Sequence, residues 1–139
     1  MKTIVVGIDG SEHGEAALAF AAEEAALRGA HLLIVCAWQT PMVVDPGGLF
    51  PPQAFEGLAE NARSIAEAAV ARVAELQPLG TCEGKTVEGQ PAAVLLKEAE
   101  HAVMIVVGSR GRGGFANLLL GSVTQQVVHH APCPVVVVR

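Results

Sequence analysis

Five glycines fall within fourteen residues, in the stretch Gly108-Ser109-Arg110-Gly111-Arg112-Gly113-Gly114 and then Gly121-Ser122. Glycine allows positive φ and lets backbone N–H groups approach an anion closely, so this run has the composition of a phosphate-cradling loop. Ser122, with Gln125 three residues on, forms a capping-box pattern that predicts a helix start. A helix N-terminus supplies orphan N–H donors and the positive end of the dipole. Each charge-assisted hydrogen bond there contributes roughly 1.5–3 kcal/mol. The plainer alternative is that Ser122 only caps its helix and the glycines only turn the chain.

Asp9 is the second residue of chemical interest. It follows an apolar run and opens Asp9-Gly10-Ser11, where an acid can face a ligand or form an Asx turn. Two familiar phosphate motifs fail. Gly84-Lys85-Thr86 ends like a Walker loop, but position 79 is Leu and the stretch reads as a strand. Gly111, Gly113 and Ala116 satisfy a dinucleotide fingerprint, yet valines stand where the ribose-binding acid belongs.

The elements that must position these residues are legible as apolar punctuation. Residues 3–9 (TIVVGID), 31–38 (HLLIVCAW), 102–108 (AVMIVVG) and 134–138 (PVVVV) are continuous apolar runs rich in Val and Ile. Strands buried on both faces of a parallel sheet read this way. Helical patterns lie between them, over 12–29, 55–77, 91 to about 100, and 122–131, the last stopped by Pro132. A weaker, mixed strand between Thr81 and Glu88 suits a sheet edge. The order βαβαβαβαβ implies one α/β domain over residues 1–139, with a parallel sheet and right-handed crossovers. Ligands of such sheets bind beyond the carboxyl ends of strands, where strand order reverses. The Pro- and Gly-rich residues 39–54 read as a lid, a partner surface or a disordered insert.

Composition narrows the function classes. The 139 residues are 51% apolar and 17% charged, which excludes disorder and leaves ample core. A net charge of −5 argues against nucleic-acid binding. Residues 1–100 carry six cations and all 14 carboxylates (6 − 14 = −8), whereas residues 101–139 carry Arg110, Arg112 and Arg139 and no acid (+3). The glycine-rich quarter is thus the one free of local repulsion toward an anion. No apolar stretch reaches the roughly 18 residues of a membrane span, and the N-terminus does not read as a signal peptide. Cys36, Cys82 and Cys133 are dispersed in apolar surroundings, as expected of buried thiols in a reducing compartment; the cytoplasm is the expected location. Adjacent His129 and His130 read as a surface pair rather than a metal site, and His13, His31 and His101 stand alone in sequence. Cys133 reads as an inert thiol, and Trp38 as packing rather than a base-stacking platform.

Gly108-x2-Gly111-x9-Gly121-Ser122 resembles the G-2x-G-9x-G-[ST] motif of the nucleotide-binding branch of the universal stress protein family. The opening IVVGIDGS and the closing HHAPCPVVVVR are also similar to that family, so the resemblance covers essentially the whole chain. It implies a Rossmann-like open parallel five-stranded sheet in order 3-2-1-4-5 with helices on both faces. It also implies a homodimer joined through Val135–Val138, and ATP, with or without magnesium, between strands 1 and 4. By the same resemblance Asp9 faces the ribose or phosphates, while Gly7, Ile8 and Ala37 line the adenine pocket. Val107 and Gly108 pack on the ribose and base. Gly111, Gly121, Ser122, Val123 and Thr124 give N–H and hydroxyl groups to the phosphates, and Arg110 and Arg112 add charge. The expected role is a nucleotide-dependent regulator of the stress response acting on an unknown protein partner. The alternatives are a slow ATP hydrolase, or an interaction module that takes AMP, a cyclic nucleotide or nothing. Phosphoryl transfer needs a metal-holding acid and a group that positions the nucleophile. The sequence offers Asp9 and no neighbouring base, so efficient turnover is not expected.

Overall fold

Nine elements alternate along the chain: β1 (Thr3–Gly7), α1 (Glu12–Arg28), β2 (His31–Trp38), α2 (Gln53–Leu76), β3 (Cys82–Glu88), α3 (Pro91–Glu98), β4 (Met104–Gly108), α4 (Ser122–His130) and β5 (Val135–Val138). The structure, a computed structural model, describes residues 1–40, 53–111 and 120–139. The five strands form one sheet in the order β3-β2-β1-β4-β5, every pairing parallel. This is the expected fold class and strand order.

The continuous apolar runs supply both faces of the sheet at once. Successive side chains alternate, so Ile4, Val6, Leu32, Ile34, Met104 and Val106 enter the core under α1 and α2. Val5, Leu33, Val35, Ile105 and Val107 enter the core under α3 and α4. In β1, Ile4, Val5 and Val6 are all fully buried. Helix α1 lies close on the sheet because its buried face is built mainly of alanine, with Ala17, Ala21, Ala22 and Ala25 around Leu18. It starts at Ser11, whose Oγ accepts from the Gly14 N–H at 3.2 Å. It stops at Gly29, in the left-handed region at φ 60°, where the Ala30 and Gly29 N–H groups reach the Ala25 and Ala26 carbonyls. That is the Schellman arrangement, which a glycine makes cheap.

Strand β3 is a sheet edge, as its mixed pattern predicts, and Gly84-Lys85-Thr86 lies within it in β conformation. The other edge is β5. Residues 41–52 and 112–119 are outside the described residues, and most of the expected 39–54 loop and the middle of the glycine run fall there. One expectation is corrected: only Cys36 is buried, while Cys82 and Cys133 are half-buried free thiols.

Candidate functional site

Strand order reverses between β1 and β4, and there the carboxyl ends of β1, β2 and β4 open into a cavity of about 370 Å³. Twelve of the residues expected to bind the nucleotide line it, while Arg112 lies outside the described residues. Gly7, Ile8 and Asp9 come from the end of β1, and Ala37 from the end of β2. Val107 and Gly108 end β4, Arg110 and Gly111 follow it, and Gly121, Ser122, Val123 and Thr124 lead into α4. Four further residues complete the lining: Gly14, Val35, Pro91 and Leu95. Val35 was readable, since it shares a strand face with Ala37. Leu95 lies one helical turn after Pro91 and therefore on the same face. What the sequence did not disclose is that α3, through Pro91 and Leu95, forms part of the cavity wall.

The cavity has two unlike ends. Val35, Ala37, Leu95 and Val107 make one side apolar, and Leu95 packs so tightly on Gly7 that a Cβ there would meet its methyls at 2.7 and 2.9 Å. The other side gathers Asp9, Arg110, Gly111 and the start of α4. Asp9 Oδ1 accepts from the Ser11 N–H at 2.9 Å, and Gly10 turns the chain at φ 84°. Asp9 thus forms the Asx turn and at the same time lines the cavity. Gly111 approaches Asp9 so closely that a Cβ there would lie 2.7 Å from Asp9 Oδ2. Gly108 is pressed against α1, where a Cβ would meet the His13 carbonyl oxygen at 2.7 Å. Among the described residues, the cavity lining holds one acid, Asp9, and one cation, Arg110.

The start of α4 differs in detail from the capping-box expectation. Gly121, not Ser122, is the N-cap, with φ −69° and ψ 163°, and no side chain caps the helix. Ser122 is the first helical residue, and the Gln125 N–H donates to the Gly121 carbonyl. Gly121 cannot offer its own N–H to a ligand, because that group donates to the Ser109 carbonyl at 2.7 Å. The Thr124 hydroxyl is likewise engaged, donating to the Gly108 carbonyl at 2.7 Å. The donors that helix geometry leaves at this terminus are the first-turn amides of Ser122, Val123 and Thr124, with the Ser122 hydroxyl beside them.

The lesser candidates sort plainly. Trp38 does not line this cavity; it lines a smaller neighbouring hollow with Leu58 and Ile65 of α2. His129 and His130 are exposed, with ring centroids 6.4 Å apart, and no cluster of three metal-ligating side chains occurs among the described residues. Burial pushes the Cys133 and Cys82 thiols up from their ordinary value, which suits inert thiols. His13 and His31, alone in sequence, are not alone in space: His13 Nδ1 lies 3.2 Å from Ser109 Oγ, and His31 Nδ1 lies 3.3 Å from Thr81 Oγ1. Among the described residues no helix is long and apolar enough to cross a membrane.

Compared with known proteins, residues 1–139 match the model of the universal stress protein family. The chain belongs to that family. Among its relatives is a universal stress protein of Thermus aquaticus, 39% identical over 140 residues that cover 99% of this chain and 98% of that one. A universal stress protein of Mycolicibacterium smegmatis is 38% identical over 138 residues, 98% of this chain but 45% of its own length. The chain therefore spans under half of that mycobacterial relative and nearly all of the Thermus one. Universal stress protein UspA from Lactobacillus plantarum has the same fold, with a TM-score of 0.85 at 27% identity over 99% of this chain and 97% of that chain. A universal stress protein solved in complex with cAMP has a TM-score of 0.74 at 29% identity, covering 99% and 97% of the two chains. One from Archaeoglobus fulgidus in complex with dAMP has a TM-score of 0.72 at 25% identity, covering 100% and 98%.

Proposed function

We propose that this universal stress protein binds an adenine nucleotide, ATP, in the cavity at the β1–β4 switch point, and that occupancy rather than turnover is its output. The observation that carries this reading is the two-ended lining of one cavity. Its volume of about 370 Å³ lies within the range of small-molecule sites. The apolar side formed by Val35, Ala37, Leu95 and Val107 suits a purine, and the opposite side suits phosphates. There the first-turn amides of α4 and the Arg110 guanidinium favour negative charge. Asp9 stands on that polar side beside Gly111, where a ribose hydroxyl or a magnesium ion carried on the phosphates would face it. The cAMP and dAMP complexes of structural neighbours support an adenine ligand.

Occupancy is the preferred output because the lining offers Asp9 as its one acid among the described residues, and no histidine. A ligand that binds only the folded state stabilises it by mass action, so the bound form itself is a signal to a protein partner. We further propose a cytoplasmic homodimer joined through β5. The Ile105 and Ser109 N–H groups donate to the Pro134 and Val138 carbonyls. By strand alternation, Val135 and Val137 then turn their backbone groups away from β4, toward a second copy.

Two measurements on the purified chain test the nucleotide assignment. Mass spectrometry of the small molecules released on denaturation should find an adenine nucleotide. Calorimetric titration of the emptied protein should show saturable ATP binding, with steady-state hydrolysis far below the order of 1 per second typical of kinases. No saturable binding of ATP, AMP or cAMP would reject the nucleotide assignment, and kinase-like turnover would replace the sensor with an enzyme.

A further inference from the structure

We propose that His13 and Ser109 form a positioning latch that holds the two lips of the cavity at ligand-binding separation, although neither residue lines the cavity. The proposal rests on the nucleotide reading above and assigns residues that act on the ligand through others. One lip is the turn from β1 into α1, which carries Asp9, Ser11 and Gly14. The other is the end of β4, from which the glycine run departs.

Ser109 is the joint of the second lip. It is only 3% exposed; its N–H donates to the Val138 carbonyl at 2.8 Å and its carbonyl accepts from the Gly121 N–H at 2.7 Å. Its backbone thus ties β4 to β5 and to the cap of α4. Its hydroxyl is left for the first lip, and it meets His13 Nδ1 at 3.2 Å across 96 positions of sequence. The hydroxyl can donate to Nδ1 or accept from it, so either neutral imidazole tautomer keeps the bond. Beside this bond the His13 carbonyl lies against Gly108, where even a Cβ would stand 2.7 Å from it. The second residue of α1 is therefore held to the β4 end through both its backbone and its ring. One residue pair fixes how far Asp9 stands from Gly111 and from the first turn of α4. Holding such groups in place before the ligand arrives raises affinity without any direct contact.

The test is a mutant cycle on the full chain, with ATP as the probe and affinity read by calorimetry. His13→Ala and Ser109→Ala should each weaken binding about two- to tenfold, the range of one net hydrogen bond. The double variant should lose no more than the weaker single variant. His13→Asn, whose amide group can occupy the place of Nδ1, should restore affinity to within about twofold. Unchanged affinity in both singles, or losses that multiply in the double variant, would overturn the latch.

A second readout needs no nucleotide. In the ligand-free protein, His13→Ala should speed amide exchange at Ser11 and Gly121, whose N–H groups bond to Asp9 and Ser109, while the middle of α1 exchanges as before; His13→Asn should reverse the change. Uniform acceleration along α1 would mean that His13 only packs, which refutes the proposal. If the parent chain binds no ATP, the nucleotide reading falls and the exchange arm alone decides the latch.

Discussion

Gly111→Ala separates ligand binding from folding more cleanly than any other change at this site. Gly111 is not among the positive-φ glycines of the described residues, so alanine adds no backbone strain there. The added Cβ would lie 2.7 Å from Asp9 Oδ2, against an ordinary contact of 3.4 Å or more, so the carboxylate must retreat by about 0.7 Å (3.4 − 2.7). The obstacle is the end of a side chain, but Asp9 is tied through Oδ1 to the Ser11 N–H, and that bond stretches or breaks. Weakening it costs about 1 kcal/mol. Restricting the unfolded chain returns about 0.4–1 kcal/mol, so the ligand-free melting temperature should stay within a few degrees of the parent.

Binding should respond differently, because the new methyl group and the displaced carboxylate both intrude on the cavity. We expect a loss of at least tenfold, or about 1.4 kcal/mol. At an ATP concentration of roughly 100 times the parent Kd, the ligand stabilises the parent by about 2.7 kcal/mol and a tenfold weaker variant by about 1.4 kcal/mol. A thermal melt with and without ATP should therefore show the ligand-induced shift cut to about half. An undiminished shift in the variant would refute the role given to the Asp9–Gly111 contact. A collapse of the ligand-free melting temperature would show that Gly111 serves folding instead.

Three other outcomes follow from the same contacts. Gly108→Ala drives a Cβ against the His13 peptide, which is backbone and cannot swing away. It should cost about 1–3 kcal/mol, visible as a lowered denaturation midpoint, and an unchanged midpoint would show that α1 yields freely. Val137→Pro removes an N–H that points away from β4, so sedimentation should find monomers while the far-ultraviolet spectrum stays folded; an intact dimer would move the seam elsewhere. Cys82 and Cys133 carry thiols raised by burial above the ordinary 9.0, so their contribution to stability is full below about pH 9 and is lost as pH rises through the raised values. The stability difference between the parent and a Cys82→Ala, Cys133→Ala variant should accordingly shift against the parent between pH 7.5 and 10; a pH-independent difference would contradict the assigned cause.

The strands were legible because burial on both faces leaves no polar alternation: Ile4, Val5 and Val6 read as one run and divide between two cores. The lining was legible where it follows a strand, since the rule of the carboxyl ends points to Asp9, Ala37 and Gly108 without any coordinates. Ser122 misled because Ser and Gln at that spacing usually mark a cap, while the bond from the Gly121 N–H to Ser109 fixes the helix start one residue earlier. That bond depends on where β4 ends in space, which no local pattern encodes. The approach of Pro91 and Leu95, and the meeting of His13 with Ser109, are likewise set by how helices cross the sheet, and a single sequence carries no periodic trace of them.

The two rims of the sheet are not alike. Along β3 the side chains of Glu83, Lys85 and Glu88 are exposed, and Lys85 is bound to Glu98 of α3 at 2.9 Å. Along β5 the four residues are all valine. Stacking into a fibre would require the valine rim of one molecule to accept the ionic rim of the next, which charge and hydration oppose. In the homodimer proposed above, growth by edge pairing would thereby be self-limiting: both valine rims would be spent, and the rims left facing outward would be the charged, hydrated ones.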